Sequence, residues 1–164
     1  MNVQIRPFAE TDSVPDLTSL LHRSYKRLAD MGLRFVATYI SEKDTRYFID
    51  NGECFVAELG GKIIGTILIY PKGKTIPEFY KRDDVAVFGK FAVDPLYQNK
   101  GVGAMLMDYI ENHVKSKGIK ELALDTAEQA VHLIEYYKKR GFRFVGYQKW
   151  SVTNYRSVIM SKTL

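Results

Sequence analysis

Cysteine is nearly missing from this chain, with Cys54 the only one in 164 residues. A single thiol excludes an intramolecular disulfide and any metal site built from several cysteines. No stretch approaches the ~20 apolar residues that cross a bilayer. The opening, MNVQIRPFAETDS, has neither the basic head nor the apolar run of a secretory signal. A soluble cytoplasmic protein with no membrane partner is expected. Internal repeats, low-complexity tracts and linkers are missing too, as is any His/Asp/Glu spacing that implies a metal. There is no Gly-x-Ser-x-Gly of a hydrolase and no Gly-Lys-Ser/Thr of a P-loop. The basic excess, a net charge of +5, is not gathered into a block. Its densest cluster, YKKRGFR from Tyr137 to Arg143, falls where a helix C-terminus favours cations. Nucleic-acid binding therefore has neither a motif nor a patch behind it. A mild positive excess does suit a polyanionic small ligand.

What is present is ordinary globular composition, 46% hydrophobic and 26% charged. Residues 1–164 are enough to bury a core as one domain. VQIRPF (3–8) reads as a short strand. The ETDSVPDL that follows carries helix-start chemistry, with Thr11 or Asp12 as cap and Pro15 in the first turn. Residues 41–50 read as a second helix, and CFVAEL and KIIGTILIY flank Gly60-Gly61 as a hairpin. After a polar segment at 71–84, long enough to form a lid, VAVFGKFAV (85–93) is a strand. Val102, Met105, Leu106, Tyr109, Ile110, His113 and Val114 then keep helical spacing, which Gly118 ends. IKELALD (119–125) is a strand, and Thr126 with Gln129 makes a capping-box pattern for a helix to Arg140. FRFVGYQKW and YRSVIMSKTL close the chain as antiparallel strands. The sum is an α/β (α+β) domain whose strand–helix–strand unit at 85–125 pairs in parallel.

One stretch asks for more than a fold. DPLYQNKGVGAML places two glycines in the first turn of a helix, where each costs roughly 1 kcal/mol against alanine. Helix N-termini leave N–H groups unpaired and carry partial positive charge. With no side chains in the way, Gly101 and Gly103 admit a phosphate to those amides. Anion binding would offset the cost.

FAVDPLYQNKGVGAML resembles the coenzyme-A-binding motif of the GNAT superfamily of N-acetyltransferases, Q/R-x-x-G-x-G/A after a strand ending V-x-P. The match falls on Val93, Pro95, Gln98, Gly101 and Gly103. Downstream, YYKKRGF resembles the family's Y-x-x-x-G-F, with Tyr137, Gly141 and Phe142 in register. IRPFAETD resembles its usual first strand. The resemblance implies the GNAT fold: a mixed, mostly antiparallel sheet of six to seven strands, about four helices, and parallel, splayed fourth and fifth strands. It also implies acetyl-CoA as donor and a small amine or peptide as acceptor. A non-catalytic acyl-CoA sensor is the alternative reading, and members frequently pair as homodimers.

By the same resemblance, Phe91, Ala92 and Val93 line the pantetheine arm. Gln98, Asn99, Lys100, Gly101, Val102, Gly103 and Ala104 surround the pyrophosphate, with the Val102 side chain turned into the core. Tyr137 is the expected general acid. Where many members carry Asn, seven residues before that tyrosine, this chain has Ala130, and His132, two residues later, would take over the cofactor contact or belong to the acceptor site. Asp125 is the expected base or orienter. Tyr25, Arg34, Tyr80 and Trp150 are expected around the acceptor. No metal is implied.

Overall fold

The computed structural model describes residues 1–73 and 76–164. Seven strands form one sheet: β1 (Gln4–Pro7), β2 (Glu53–Leu59), β3 (Lys62–Ile69), β4 (Val85–Val93), β5 (Glu121–Ala127), β6 (Arg143–Lys149) and β7 (Arg156–Thr163). Their order is β1-β2-β3-β4-β5-β7-β6. β4 and β5 run parallel and every other neighbouring pair is antiparallel. The described helices are α1 (Val14–Asp30), α2 (Glu42–Asn51), α3 (Val102–Ser116) and α4 (Val131–Lys139). This is the mixed architecture that the sequence implied, with β4 occupying the expected residues.

Alternation along the strands decides which helix packs where. On β2, Phe55 and Ala57 join the cluster built on Leu106, Met107 and Ile110 of α3. Cys54 and Val56 point the other way, onto Leu17 and Leu20 of α1. β5 divides in the same manner. Leu122 and Leu124 face α3 and α4, while Ala123 packs with Tyr80, Ile159 and Trp150 on the opposite face. The Cys54 thiol is buried there, and burial pushes its pKa up to about 11, so it is an inert core group.

Two helix starts differ from the sequence reading, one because the expected cap binds another side chain and one because the preceding strand runs on. α1 is capped by Ser13, which accepts from the Asp16 N–H at 3.1 Å. Asp12 instead holds Arg6 through a 2.7 Å ion pair. The Thr126–Gln129 capping box does not form, because β5 continues to Ala127, paired with Ser157 of β7. α4 starts at Val131 with no side-chain cap, and the Thr126 hydroxyl is left buried without a partner.

The feature that positions the site is where β4 and β5 part. Their register runs only over Val85↔Glu121, Ala86↔Leu122 and Val87↔Ala123. β5 then stays with β7, while β4 follows β3. Between the pairs Leu68↔Gly89 and Thr66↔Ala92, β4 places Lys90 and Phe91 opposite Ile67 alone. Such a bulge bends its strand and sharpens the twist, which opens a wedge in the middle of the sheet.

Candidate active site

A cavity of about 1040 Å³ passes through this wedge and reaches both faces of the sheet. At one end lies the N-terminus of α3. Gly101 is its cap residue, in the left-handed conformation (φ 86°), with no side-chain cap and no acidic residue in the first turn. The leading amides of α3 thus receive no side-chain oxygen. At Gly103 an added Cβ would stand 3.3 Å from Cζ of Phe91 and 3.8 Å from the Tyr136 hydroxyl. The mouth is therefore shaped by backbone on one side and by these two rings on the other.

The expected cofactor residues divide by position. Phe91, Ala92, Val93, Gln98, Asn99, Gly101, Gly103, Ala104, His132 and Tyr137 all line the cavity. Val102 is buried in the core cluster beneath α3, as its side chain was expected to be. Lys100 lies over the Tyr97 ring, 5.8 Å from its centroid, outside the lining. The Gln98 side chain folds back to donate to the Val93 carbonyl at 3.0 Å. Ser24 donates to that same oxygen at 3.0 Å, so both its lone pairs are engaged. Gln98 consequently shapes the loop between strand and helix, and the Val93 carbonyl is occupied.

Tyr137 sits where α4 meets the wedge, its ring against Phe88 and Phe142 at 6.0 and 5.7 Å between centroids. Burial, followed by the nearby Tyr25 and Tyr136 hydroxyls, raises its pKa well above the ordinary value, so it stays a neutral phenol. Thr126 lines the cavity too, and its buried Oγ1 without a partner is a polar atom suited to a ligand amide. His132 is kept toward its neutral form by burial and by Arg27.

On the opposite face, three of the four expected acceptor residues come together. Tyr25, Tyr80 and Trp150 line the cavity. Arg34 does not, because its guanidinium lies 4.1 Å above the Tyr39 ring. Asp125 is held from both sides, by the Tyr80 hydroxyl at 2.7 Å and by Trp150 Nε1 at 3.0 Å. Burial raises its pKa and these donors oppose the rise. The sequence gives no sign that Tyr80 and Trp150, 45 and 25 residues from Asp125, orient it. Of the segment expected as a lid, residues 74 and 75 lie outside the described part. Lys72 binds down the rest by donating to the carbonyls of Tyr80, Arg82 and Val85.

Sequence reasoning passed over Lys90. Its ammonium donates to the Tyr70 hydroxyl at 2.9 Å and lies 4.8 Å from the Phe48 ring centroid. A lysine inside the apolar run VAVFGKFAV was the signal, since lysine is seldom buried without a partner. Gly89 makes this arrangement possible. A Cβ there would come 2.3 Å from the Tyr70 hydroxyl and 2.5 Å from its Cε2. Gly89→Ala must swing that ring away at a cost of about 1–3 kcal/mol. Acceptor KM is expected to rise while acetyl-CoA affinity holds, as steady-state kinetics and calorimetry would read; unchanged kinetics would mean that Tyr70 has no place in the acceptor site.

The fold and site together define an α/β domain with a split sheet, whose through-cavity has an uncapped helix start at one end and a carboxylate at the other. Comparison with known proteins gives the family. The profile of the acetyltransferase (GNAT) family matches residues 15–142. The chain is 32% identical over 145 residues to S-(2-succino)cysteine N-acetyltransferase of Bacillus subtilis (strain 168), covering 87% of this chain and 85% of that protein. It is 25% identical over 147 residues to the S-alkylcysteine N-acetyltransferase of the same organism, covering 87% and 80%. A crystal structure of a GNAT family acetyltransferase from Elizabethkingia anophelis with acetyl-CoA bound superposes with a TM-score of 0.73 at 20% identity, covering 99% of both chains. The chain belongs to the GNAT family and is an N-acetyltransferase. Among the described residues no helix is long and apolar enough to cross a membrane, and no group of three or more His, Cys, Asp or Glu side chains is arranged to hold a metal ion.

Proposed function

We propose that residues 1–164 act as one catalytic domain that moves the acetyl group of acetyl-CoA to the α-amine of a small amino acid of the S-substituted cysteine type. The observation that carries this reading is the single cavity linking the uncapped N-terminus of α3, on one face, to Asp125 on the other. The first end suits a diphosphate, because backbone N–H groups and the helix dipole favour anions. The second suits an amine, because the half-buried carboxylate of Asp125 lines it. The class of amino acid is supported by the two Bacillus relatives, both named for S-substituted cysteine acceptors.

In the reaction the amine nitrogen attacks the thioester carbonyl; a C–N bond forms and the C–S bond breaks. The nitrogen loses a proton and the departing sulfur gains or shares one. A lysine-like amine would need about 4 kcal/mol to supply its free base near neutrality. An α-amine is less basic, which shrinks that cost and makes Asp125, or water held by it, a sufficient acceptor of the proton. Tyr137, across the wedge, directs its hydroxyl at the developing thiolate. Phe91, Ala92, Thr126 and His132 flank the pantetheine arm, while Asn99, Gly101, Gly103 and Ala104 surround the diphosphate.

Thiol release from acetyl-CoA across a panel of S-substituted cysteines, lysine and polyamines tests the reading. Mass spectrometry should find the N-acetyl product with the cysteine derivatives and kcat/KM at least about tenfold above the other amines. Equal or greater turnover of polyamines would overturn it. A homodimer is also part of this proposal, supported by Phe144 and Tyr147, which are 53% and 52% exposed on the edge strand β6; an elution volume of a single chain would remove it.

A further inference from the structure

Lys90 is a cation in an expensive position. The bulge places it at φ 48°, in the left-handed region that non-glycine residues rarely occupy. Its half-buried side chain lies between Phe48 and Tyr70, 4.8 and 5.1 Å from the two ring centroids. The aromatic faces favour the charged form, yet desolvation brings its pKa down to about 8, opposed by the fields of Asp125 and Tyr39. An ammonium has three donors, and the Tyr70 hydroxyl takes one. Among the described residues, no carboxylate comes within 4.0 Å of it.

Asp125 is the natural partner for such a cation, and the fold keeps the two from pairing. Lys90 is on β4 and Asp125 on β5, beyond the point where those strands separate. Tyr80 and Trp150 hold the carboxylate in its place, and Phe48 and Tyr70 hold the ammonium in its own. Both residues line the same cavity. A ligand entering it meets one positive and one negative group, fixed on the two sides of the opening. That is the complement of a zwitterion.

We infer that Lys90 is the specificity-determining residue that receives the acceptor's α-carboxylate, with Asp125 opposite receiving its amine. The inference rests on the amino-acid reading given above and adds how that class is recognised. A carboxylate reaching Lys90 gains a desolvated ion pair whose partner is already held by aromatic packing, so little ordering remains to be done on binding. An amine without a carboxylate leaves the half-buried Lys90 without an anionic partner.

The test compares S-methylcysteine with its decarboxylated counterpart, 2-(methylthio)ethylamine, in the wild type, Lys90→Met and Lys90→Arg. Methionine keeps the unbranched shape among the rings and removes the charge. In the wild type, kcat/KM should favour the amino acid strongly. In Lys90→Met that preference should fall by about thirtyfold or more, through KM rather than kcat, and Lys90→Arg should restore part of it. Acetyl-CoA affinity and melting temperature verify that each variant is folded. The inference is overturned if Lys90→Met keeps the preference, or if the wild type acetylates both compounds equally well. It is also overturned if Lys90→Met lowers kcat alike for both, which would make Lys90 a participant in the chemistry instead. If the wild type acetylates neither compound but accepts polyamines, the amino-acid reading itself fails, and this inference with it.

Discussion

Gly103→Glu is expected to weaken acetyl-CoA binding by about a hundredfold, equivalent to ~2.7 kcal/mol. Two effects act together. The new Cβ would press on Phe91 at 3.3 Å, so the rest of the side chain must project into the mouth of the cavity. Its carboxylate then occupies the positive end of α3 and repels a diphosphate. The same substitution should not unfold the protein. An acid in the first turn complements the helix dipole, and glutamate is a better helix former than glycine by roughly 0.5 kcal/mol or more. A melting temperature equal to or above wild type, with calorimetric affinity lost, is therefore the expected pair of results. Unchanged affinity would mean that the diphosphate does not bind at this helix.

Tyr137→Phe is expected to lower kcat by about 10²-fold, the loss typical of one positioned donor. Removing a single oxygen leaves the ring against Phe88 and Phe142. No hydrogen bond to another described residue contributes to the pKa of Tyr137, so its loss orphans nothing in the protein. Stability and acetyl-CoA affinity should stay close to wild type. The raised pKa also defines the manner of action. Full proton transfer from a phenol above 10.0 to a thiolate near ~8.5 runs uphill. Tyr137 therefore stabilises the leaving sulfur chiefly by donating a hydrogen bond, and solvent can complete its protonation. An unaltered turnover rate would remove Tyr137 from the reaction.

Elements whose causes lie within a few residues were legible before the fold was known. β4 is a run of apolar residues between polar ones, and α3 keeps its 3.6-residue spacing between Gly101 and Gly118. The glycine pair, Tyr137 and Asp125, which stand out as chemistry unlike their neighbours or in register with a family motif, all line one cavity. Helix starts were less legible where a capping side chain had two possible partners. Asp12 turned back to Arg6, six residues earlier on β1, and Thr126 stayed in β5 because that strand continues its pairing with β7.

The sequence alone determined the family, the parallel unit and the uncapped, glycine-bearing start of α3, since local periodicity and backbone-exposing glycines act through near neighbours. Only the tertiary structure decided what surrounds Asp125 and Lys90 in the cavity. Tyr80 and Trp150 reach Asp125 across 45 and 25 residues, and Tyr70 reaches Lys90 across 20. It also decided that Arg34 lies outside the cavity. The physical reason is that β4 and β5 must separate before a half-buried cation and a half-buried carboxylate can line one cavity without pairing, and that separation comes from how the strands pair.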